Sequence, residues 1–512
     1  MIVVLKEKVN WIKLKYVMVS TLFFGLVAHG YAYFNSNFSQ DSICSLYIDS
    51  PDVMISVGRF LRPVYRWIRG GFALPVLSGV LSLLFFGLAI YLIIDALRIN
   101  KKTSIVLSTG ILLTSSSITL LTATFMHDID SYAFSMLLVS LGIWSTVKTN
   151  RGIYFSPVLY FLSLGLYQAY INIPVFVFLV LALYYAIQGE NIKRIILDLL
   201  KRIAMIAVSM IAYFVAYKIV LSVTGIAPLE IHNSPNNVLD ISLTSIISRI
   251  IRTFNSEFRW FFLPKNHYSM LNAILNVLIL VLSVVMLVYL IKKNREKMAQ
   301  NGILFIACII LLMPFGINVI TLVSNQWHDL TIFSLFLFYV FFIFLYERTA
   351  EVADWKTKQI NRFSIVLLLS IIIFNNCIYS NEAYLKKELE SQATLSTFTR
   401  LIDRIEQTDG YEVCKTPVVL VGTFDNSNIA EKRKGFDERG LGLNSIFATT
   451  YWGSYEAYFN NYLNYPINLL SENDSLIWQT NESVKAMPAF PHKDCCKIID
   501  GTMIVKLSEM TE

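Results

Sequence analysis

The fold is decided by residues 35–71, which read NSNFSQDSICSLYIDSPDVMISVGRFLRPVYRWIRGG. This polar run lies between two long apolar segments, and it contains three aspartates and four arginines. Charged side chains are costly inside a bilayer, so the run should lie at a membrane surface between two membrane-spanning helices.

Short helices are predicted within this run. Pro51 follows Ser50, an arrangement that commonly begins a helix. Pro63 can begin a second helix, which the Gly70-Gly71 pair would end. One face of this second helix would carry three arginines, namely Arg62, Arg66 and Arg69. Its other side chains suit a helix lying along a membrane with guanidinium groups facing anions, and a simple headgroup anchor is the alternative.

The composition indicates an integral membrane protein. Of the 512 residues, 55% are hydrophobic and only 15% are charged, whereas soluble domains carry about 25% charged residues. The net charge of +7 arises from short basic clusters between apolar segments, which is not a nucleic-acid-binding pattern. The first apolar segment has no evident small-residue cleavage site, so we expect it to be an uncleaved span.

Eleven apolar segments are long enough, or nearly so, to cross about 30 Å of hydrocarbon. They lie near residues 15–34, 74–97, 103–125, 131–147, 153–169, 171–188, 203–224, 271–291, 303–323, 329–346 and 363–380. Lysine and arginine concentrate in every second loop, and such loops normally face the cytoplasm. The pattern therefore predicts a multi-pass protein of the cytoplasmic membrane, with its N-terminus inside and residues 381–512 outside.

The loops predicted to face outward gather side chains suited to chemistry. Asp128 and Asp130 share a turn of only a few residues. In so short a turn, exposure to water accounts for the presence of two carboxylates less well than it does in a long polar loop. Ionisable groups beside a bilayer are functional candidates by default. The candidate substrate-binding residues from these loops are His127, Tyr132, Tyr167, Gln168 and His328.

Residues 240–263 repeat the pattern of the first loop. They are predicted to form a second surface helix, in which Arg249, Arg252 and Arg259 share one face. Two arginine-bearing helices on the outward side favour a pocket for a lipid-linked phosphate, because guanidinium groups bind phosphate well. Nonspecific contact with phospholipid is the alternative.

Residues 381–512 change composition abruptly and predict a small extracytoplasmic α/β domain. Its expected elements are an amphipathic helix over 383–406, a buried strand over 417–422 and a hairpin over 497–506. Asp500-Gly501 favours a tight turn in that hairpin. Outside the cytoplasm a disulfide is permitted, and Cys414 could pair with either Cys495 or Cys496. We find no metal-ligand spacing in this tail.

Several short motifs stand out along the chain. They are Gly58-Arg59 followed by residues 74–84 (LPVLSGVLSLL), Asp130-Ser-Tyr132, residues 165–171 (GLYQAYI), residues 487–491 (MPAFP) and residues 499–507 (IDGTMIVKL). Together they resemble the serotype-converting O-antigen glucosyltransferases, the bacterial glucosyl transferase family II. These are multi-span enzymes of the GT-C type. The fold class is thus a polytopic all-α membrane protein, with a GT-C-like catalytic domain over 1–380 and the α/β domain over 381–512.

The resemblance implies transfer of glucose, or a similar hexose, from a polyprenyl-phosphate-linked donor to a cell-surface polysaccharide. This would be an O-antigen-like side-chain modification at the outer face of the cytoplasmic membrane. The expected partners are the lipid-linked donor, the polysaccharide acceptor and membrane lipids, with a flippase and a donor synthase to supply the donor. No cofactor and no nucleic acid is expected, and a divalent metal is left open.

The resemblance also suggests roles for residues. Enzymes of the GT-C type carry an acidic residue in the first outward loop, and Asp41 matches by position, with Asp128 and Asp130 as rivals. Such a carboxylate would take the proton of the attacking acceptor hydroxyl, a step that contributes roughly 10²–10⁴-fold. The departing polyprenyl phosphate needs a cation, for which Arg59 is the first candidate, with Arg62 and Arg252 behind it.

Two functions of other classes are open on the sequence. A transporter or flippase of lipid-linked sugars would tend to have midplane charges and repeated halves, and we find neither in the sequence. A structural partner in polysaccharide assembly would use the tail as its interface. The sugar, the acceptor, the linkage, the stereochemical course and the oligomeric state are not set by the sequence.

Overall fold

The computed structural model describes residues 9–35, 38–47, 51–229, 243–263, 270–324, 329–424 and 452–509. Up to residue 229 the α-helices are α1 (Trp11–Phe34), α2 (Gln40–Cys44), α3 (Pro51–Ser56), α4 (Arg62–Arg69), α5 (Pro75–Ala96), α6 (Lys102–Leu113), α7 (Ser116–Thr124), α8 (Ile129–Lys148), α9 (Gly152–Leu166), α10 (Asn172–Ile187) and α11 (Ile192–Thr224). Short 3₁₀ helices precede α8 at Met126–Asp128 and α10 at Gln168–Ile171.

The described residues from 243 onwards continue the helical core and add the tail. The helices are α12 (Leu243–Phe262), α13 (Met270–Lys293), α14 (Gly302–Ile317), α15 (Val319–Ser324), α16 (Leu337–Val352) and α17 (Trp355–Glu406). The tail contains β1 (Val418–Val421), α18 (Trp452–Ala457), α19 (Glu472–Gln479), α20 (Glu482–Lys485), β2 (Cys496–Ile499) and β3 (Thr502–Lys506).

Each of the predicted apolar segments coincides with a helix or with consecutive helices. Within the described residues, seven helices are long and apolar enough to span a membrane, and the bent pair α6–α7 makes an eighth. The protein is therefore predominantly helical with several candidate membrane spans. Eleven crossings and their orientation stay a prediction.

Close helix contacts at glycine build the core of the bundle. α5 packs against α1 and α8, and α8 packs against α9. Gly79 of α5 lies under Tyr33 of α1, and Gly142 of α8 lies against Tyr160 of α9. A β-carbon at either glycine would come within 2.5 Å of the tyrosine ring. Small residues let membrane helices approach closely, and these contacts bring the helix ends that carry the outward loops together.

The longest helix, α17, contains 52 residues and passes through the boundary predicted at residue 380. The predicted span over 363–380 and the predicted amphipathic helix over 383–406 are therefore one continuous helix. No proline or glycine interrupts the sequence between residues 355 and 406, so nothing in it ends the helix at the membrane surface. α17 thus connects the bundle to the tail without a flexible linker.

The tail contains a three-stranded sheet in the order β1-β3-β2. β3 pairs in parallel with β1 and antiparallel with β2. Asp500 and Gly501 have φ angles of 48° and 75°, as a two-residue hairpin turn with two left-handed residues requires. The predicted strand and the predicted hairpin are therefore confirmed.

The disulfide expected in the tail is not formed. Cys414 is exposed, and its Sγ lies 3.4 Å from the Pro466 carbonyl oxygen. Cys495 and Cys496 are buried beside each other with their sulfurs 3.7 Å apart. The prediction was wrong because the hairpin carries both of these cysteines into the apolar core of the tail, away from exposed Cys414.

The tail packs onto the first outward loop. Ile43 of α2 belongs to the same apolar core as Phe398 and Leu401 of α17. Tyr47 Oη donates a hydrogen bond to the carbonyl oxygen of Asn461, at 2.9 Å. The short helix α2 is therefore held between the bundle on one side and the tail on the other.

Candidate active site

The arginine face of α4 meets the second outward turn. Arg62 Nε donates to the Asp128 carboxylate, while Arg66 Nε and Arg69 Nη2 each lie 3.6 Å from Asp128 Oδ1. Pro63 lies in the first turn of α4, as predicted, and the spacing of the arginines places them on one side of the helix. That side faces a carboxylate of the same chain, where the sequence predicted contact with external anions.

Asp130 completes this group of charges. Its Oδ2 lies 3.0 Å from Arg69 Nε and accepts a hydrogen bond from Tyr65 Oη at 2.9 Å. The side chains of Asp128 and Asp130 are 0% exposed, and those of the three arginines are at most 5% exposed. We call these five residues the ion cluster, namely Arg62, Arg66, Arg69, Asp128 and Asp130. Buried charges need partners, and here three cations face two anions.

The two carboxylates of the ion cluster differ in acidity. Burial alone would raise the pKa of the Asp128 carboxyl, but Arg62 and the other arginines hold that pKa below its ordinary value. Asp130 precedes the predicted span over 131–147, and burial raises the pKa of its carboxyl to about 6 because Arg69 compensates only in part. Asp128 is therefore a permanent anion at neutral pH, whereas Asp130 changes its protonation just below neutrality.

His127 is a neutral side chain beside the ion cluster. Burial lowers the pKa of its imidazole to about 3. Arg62 Nη2 lies 3.3 Å from His127 Nε2, and a guanidinium can only donate, so Nε2 accepts. Nδ1 then carries the proton and donates to Ser42 Oγ at 3.0 Å. His127 thereby connects the ion cluster to α2.

Arg59 differs from the arginines of the ion cluster. Its Nη1 donates to Tyr132 Oη at 3.1 Å, and its guanidinium lies 5.8 Å from the Tyr132 ring centre and 5.3 Å from the Tyr167 ring centre. Among the residues that the structure describes, no carboxylate pairs with Arg59, and its buried Nε has no hydrogen-bond partner. Contact with tyrosine rings positions a guanidinium without neutralising it. Arg59 is therefore a cation whose position is fixed by the two tyrosines and whose guanidinium still has N–H donors that a ligand could use.

The loop before Arg59 is held by hydrogen bonds from side chains of other elements. Three consecutive carbonyl oxygens, those of residues 56–58, accept side-chain hydrogen bonds. The donors are Tyr217, Gln168 and Tyr213, at 2.7, 3.1 and 3.0 Å respectively. Tyr167 Oη likewise donates to the Leu330 carbonyl oxygen at 2.8 Å. Gln168 and Tyr167 thus hold backbone in place, and direct contact of either with substrate stays a prediction.

Asp41 lies on α2 and is half-buried. Ser39, at the start of α2, donates a hydrogen bond to the Thr124 carbonyl oxygen at the end of α7. Lys387 of α17 donates to the Ala123 carbonyl oxygen and lies close enough to Asp41 to interact with it electrostatically. Asp41 therefore stands where α2, α7 and α17 meet, one residue from the serine that contacts His127.

The structure brings most of the predicted site residues together at one end of the bundle. Arg252 is not among them, because it is an exposed residue of α12. His328 lies outside the described residues, as do Asp49 and Ser50. Arg66, Arg69, Tyr65 and Lys387 belong to the site although they were not predicted as site residues. The helical spacing of the arginines was a usable signal, whereas Lys387 carried none. Among the described residues no group of three histidines, cysteines or acids is placed to hold a metal.

These observations define a class of protein: a predominantly helical protein with several candidate membrane spans, a buried charge cluster, and an arginine that pairs with no carboxylate of the described residues. The chain belongs to the glucosyl transferase GtrII family, which matches residues 30–347. The match includes Asp41, Arg59 and the whole ion cluster, and the tail lies beyond it. No curated protein and no solved structure matches the chain.

The protein is therefore a glycosyltransferase with a glucosyltransferase role, and the resemblance inferred from the sequence motifs is confirmed. This membership favours the enzyme over the transporter and the structural partner that the sequence left open. It also means that the chain acts on a sugar donor and an acceptor.

The ion cluster gives a first prediction. Asp128→Asn leaves three buried guanidinium groups facing a single carboxylate, a change that should cost on the order of 3–5 kcal/mol. The purified variant in detergent should unfold at a clearly lower temperature than the parent protein. Combining Asp128→Asn with Arg62→Met should recover part of the loss, because both charges of the closest pair are then removed.

Glu412→Gln is the control for this experiment, since it removes a carboxylate from the exposed pair with Lys415. Its unfolding temperature should match that of the parent. An Asp128→Asn protein as stable as the parent would show that the cluster is not held by this carboxylate.

Proposed function

We propose that the protein moves glucose, or a similar hexose, from a polyprenyl-phosphate-linked donor onto a cell-surface polysaccharide. The transfer would take place at the outer face of the cytoplasmic membrane. The observation that carries this proposal is Arg59, a cation held on two tyrosine rings and paired with no carboxylate in the described residues. Its guanidinium has donors available for two oxygens of a phosphate.

The ion cluster supports phosphate binding at Arg59 electrostatically. Arg62 lies 5.1 Å from the ring centre of Tyr132, the same tyrosine that accepts a hydrogen bond from Arg59. Arg62 is committed to Asp128, so we assign it an electrostatic role in place of the direct phosphate contact expected from the sequence. The excess positive charge of the cluster favours a phosphate next to Arg59.

An apolar groove supports a lipid-linked donor. It has a volume of about 440 Å³ and is lined by side chains of α10, α12, α13, α14 and α16, many of them phenylalanines. Phe176 of this lining lies about two helical turns along α10 from Gln168. α15 contacts both α12 and the 3₁₀ helix that contains Gln168. An isoprenoid chain is wholly apolar and suits such a groove while its phosphate reaches Arg59.

Asp41 is proposed as the general base. The acceptor hydroxyl oxygen bonds to the anomeric carbon, and its proton passes to the Asp41 carboxylate. The bond between the anomeric carbon and the phosphate oxygen breaks, and polyprenyl phosphate leaves with the electron pair, which Arg59 stabilises. Asp41 is half-buried, whereas Asp128 and Asp130 are inaccessible and tied to arginines, so Asp41 is the better placed to receive a hydroxyl proton.

The tail is proposed to bind or orient the polysaccharide acceptor outside the cytoplasm. Its contacts with α2 support this role, because an acceptor held by the tail would lie near Asp41. In this arrangement a donor synthase and a flippase must first deliver the lipid-linked sugar to the outer face.

Arg59 can be tested by kinetics of sugar transfer from a synthetic polyprenyl-phosphate donor. Arg59→Ala should lower kcat/KM by about 10²–10³-fold, the usual cost of losing one donor to a developing anion. Arg59→Lys should recover only part of this loss, because the planar fork is absent. Arg151→Ala removes an exposed arginine from the loop between α8 and α9 and serves as the control. Transfer by Arg59→Ala within twofold of the parent would rule out the phosphate role.

Asp41 can be distinguished from its rivals with isosteric variants. Asp41→Asn should reduce kcat by about 10²–10⁴-fold because the proton acceptor is lost, and the unfolding temperature should fall only modestly, since the shape of the side chain is kept while its charge no longer faces Lys387. Asp130→Asn should retain far more activity. If Asp130 were the base, its variant would be inactive, and the activity of the parent protein would disappear as the pH falls through about 6.

The groove can be tested by filling it. Val284→Trp adds an indole to the lining, and it should raise KM for the lipid donor about tenfold, the equivalent of roughly two methylenes left unburied. The value of kcat at saturating donor should change little. Val281→Trp is the control because Val281 is equally exposed on α13 but does not line the groove. Equal effects of both substitutions would show that the groove is not the donor site.

A further inference from the structure

A second polar cavity lies at the other end of the bundle. α5 and α10 both begin near the candidate active site and run roughly 24–33 Å before they end. The residue that follows the end of α5 by two positions, Arg98, and the last turns of α10 line a cavity of about 200 Å³. Its charged lining residues are Arg98, Glu190, Arg194, Asp198 and Arg202. This cavity is thus separate from Arg59 and the ion cluster.

The cavity carries an excess of positive charge. Three arginines and two carboxylates line it, yet within the described part of the chain none of these arginines forms an ion pair. The guanidinium of Arg202 lies over the Phe178 ring, 5.1 Å from its centre, which positions it without neutralising it. Asp198 interacts electrostatically with Arg202 without forming a close pair, so the lining keeps a net positive charge that favours an anionic ligand.

Arg98 is fixed in place by α16. Its carbonyl oxygen accepts a hydrogen bond from Arg348 Nη2 at 2.6 Å. The backbone N–H groups of Asn100 and Lys101 donate to the Glu347 carboxylate at 2.9 and 2.7 Å. Arg98 has a φ of 56°, a left-handed conformation that a non-glycine residue keeps only when its surroundings hold it. The backbone of this lining residue is therefore held in place.

The outer surface of α11 indicates where the rest of the ligand lies. Arg194, Asp198 and Arg202 line the cavity, while the neighbouring residues Ile196, Leu197, Leu200 and Ile203 have exposed apolar side chains. α11 has 33 residues and is about 50 Å long, more than the roughly 30 Å of hydrocarbon. Its charged first turns can therefore lie at the membrane surface with apolar side chains just below them.

We propose that this cavity binds the phosphate headgroup of an anionic phospholipid, with the acyl chains along the exposed apolar side of α11. Basic pockets between membrane helices bind such headgroups. Guanidinium groups match phosphate oxygens in pairs, and the adjoining apolar surface distinguishes a lipid from a soluble phosphate. The site is independent of the sugar-transfer reaction.

The test is native mass spectrometry of the full-length protein in neutral detergent. Phosphatidylglycerol and phosphatidylcholine with identical acyl chains are titrated separately, and retained lipid is counted. The parent protein should retain phosphatidylglycerol selectively, and Arg202→Gln should weaken its retention about tenfold. Lys201→Gln removes the same charge from the neighbouring position outside the lining, and it should change retention less than twofold.

Arg194→Gln provides a second variant at an exposed position where the fold is not at risk, and it should also weaken retention. Equal retention of the two lipids by the parent would overturn the proposal, as would equal losses in Lys201→Gln and Arg202→Gln. Displacement of bound phosphatidylglycerol by millimolar inorganic phosphate would assign the cavity to a soluble anion and overturn the lipid site.

Discussion

The charge of Asp128 is the constraint on which the candidate active site depends. Its carboxylate lies beside all three guanidinium groups of α4, and together with Asp130 it compensates most of the charge that this helix turns into the protein. Further contacts depend on this charge, because Arg62 donates a hydrogen bond to His127, and His127 donates one to Ser42 of α2. The geometry around Arg59 and Asp41 therefore rests on a charge that we assign no part in the chemistry.

The two ends of the bundle treat arginine differently. Around the candidate active site, the three arginines of α4 lie against buried carboxylates, whereas Arg59 pairs with no carboxylate of the described residues. At the other end Asp95 contacts two lysines, Lys13 and Lys148, at 2.6 and 2.9 Å, while the three arginines of the neighbouring cavity outnumber its two carboxylates. In a fold with few charged residues, anions are expected to bind where neighbouring carboxylates do not fully compensate the cations.

The sequence predicted what depends on local rules. The helical class, the limits of α4, its arginine face and the hairpin of the tail follow from proline, glycine and hydrophobic periodicity. It did not predict which charges meet: Arg62 was expected at a phosphate, and its partnership with Asp128 depends on how distant helices pack. The position of Lys387 beside Asp41 was hidden for the same reason. The continuity of α17 was missed because hydropathy falls near residue 380 while helix propensity does not.

Because α17 is uninterrupted, the orientation of the tail about the helix axis depends on the number of residues in the helix. Each residue in a helix advances the chain by about 1.5 Å and turns it by about 100°. Lys387 on α17 engages the bundle, and Phe398 and Leu401 further along it engage the tail and Ile43. Inserting or deleting a single residue between these two contact points would swing the tail by more than a quarter of a turn. A change of length in this part of α17 would therefore preserve the orientation of the tail only if it added or removed about one whole helical turn, which moves the tail by about 5.4 Å.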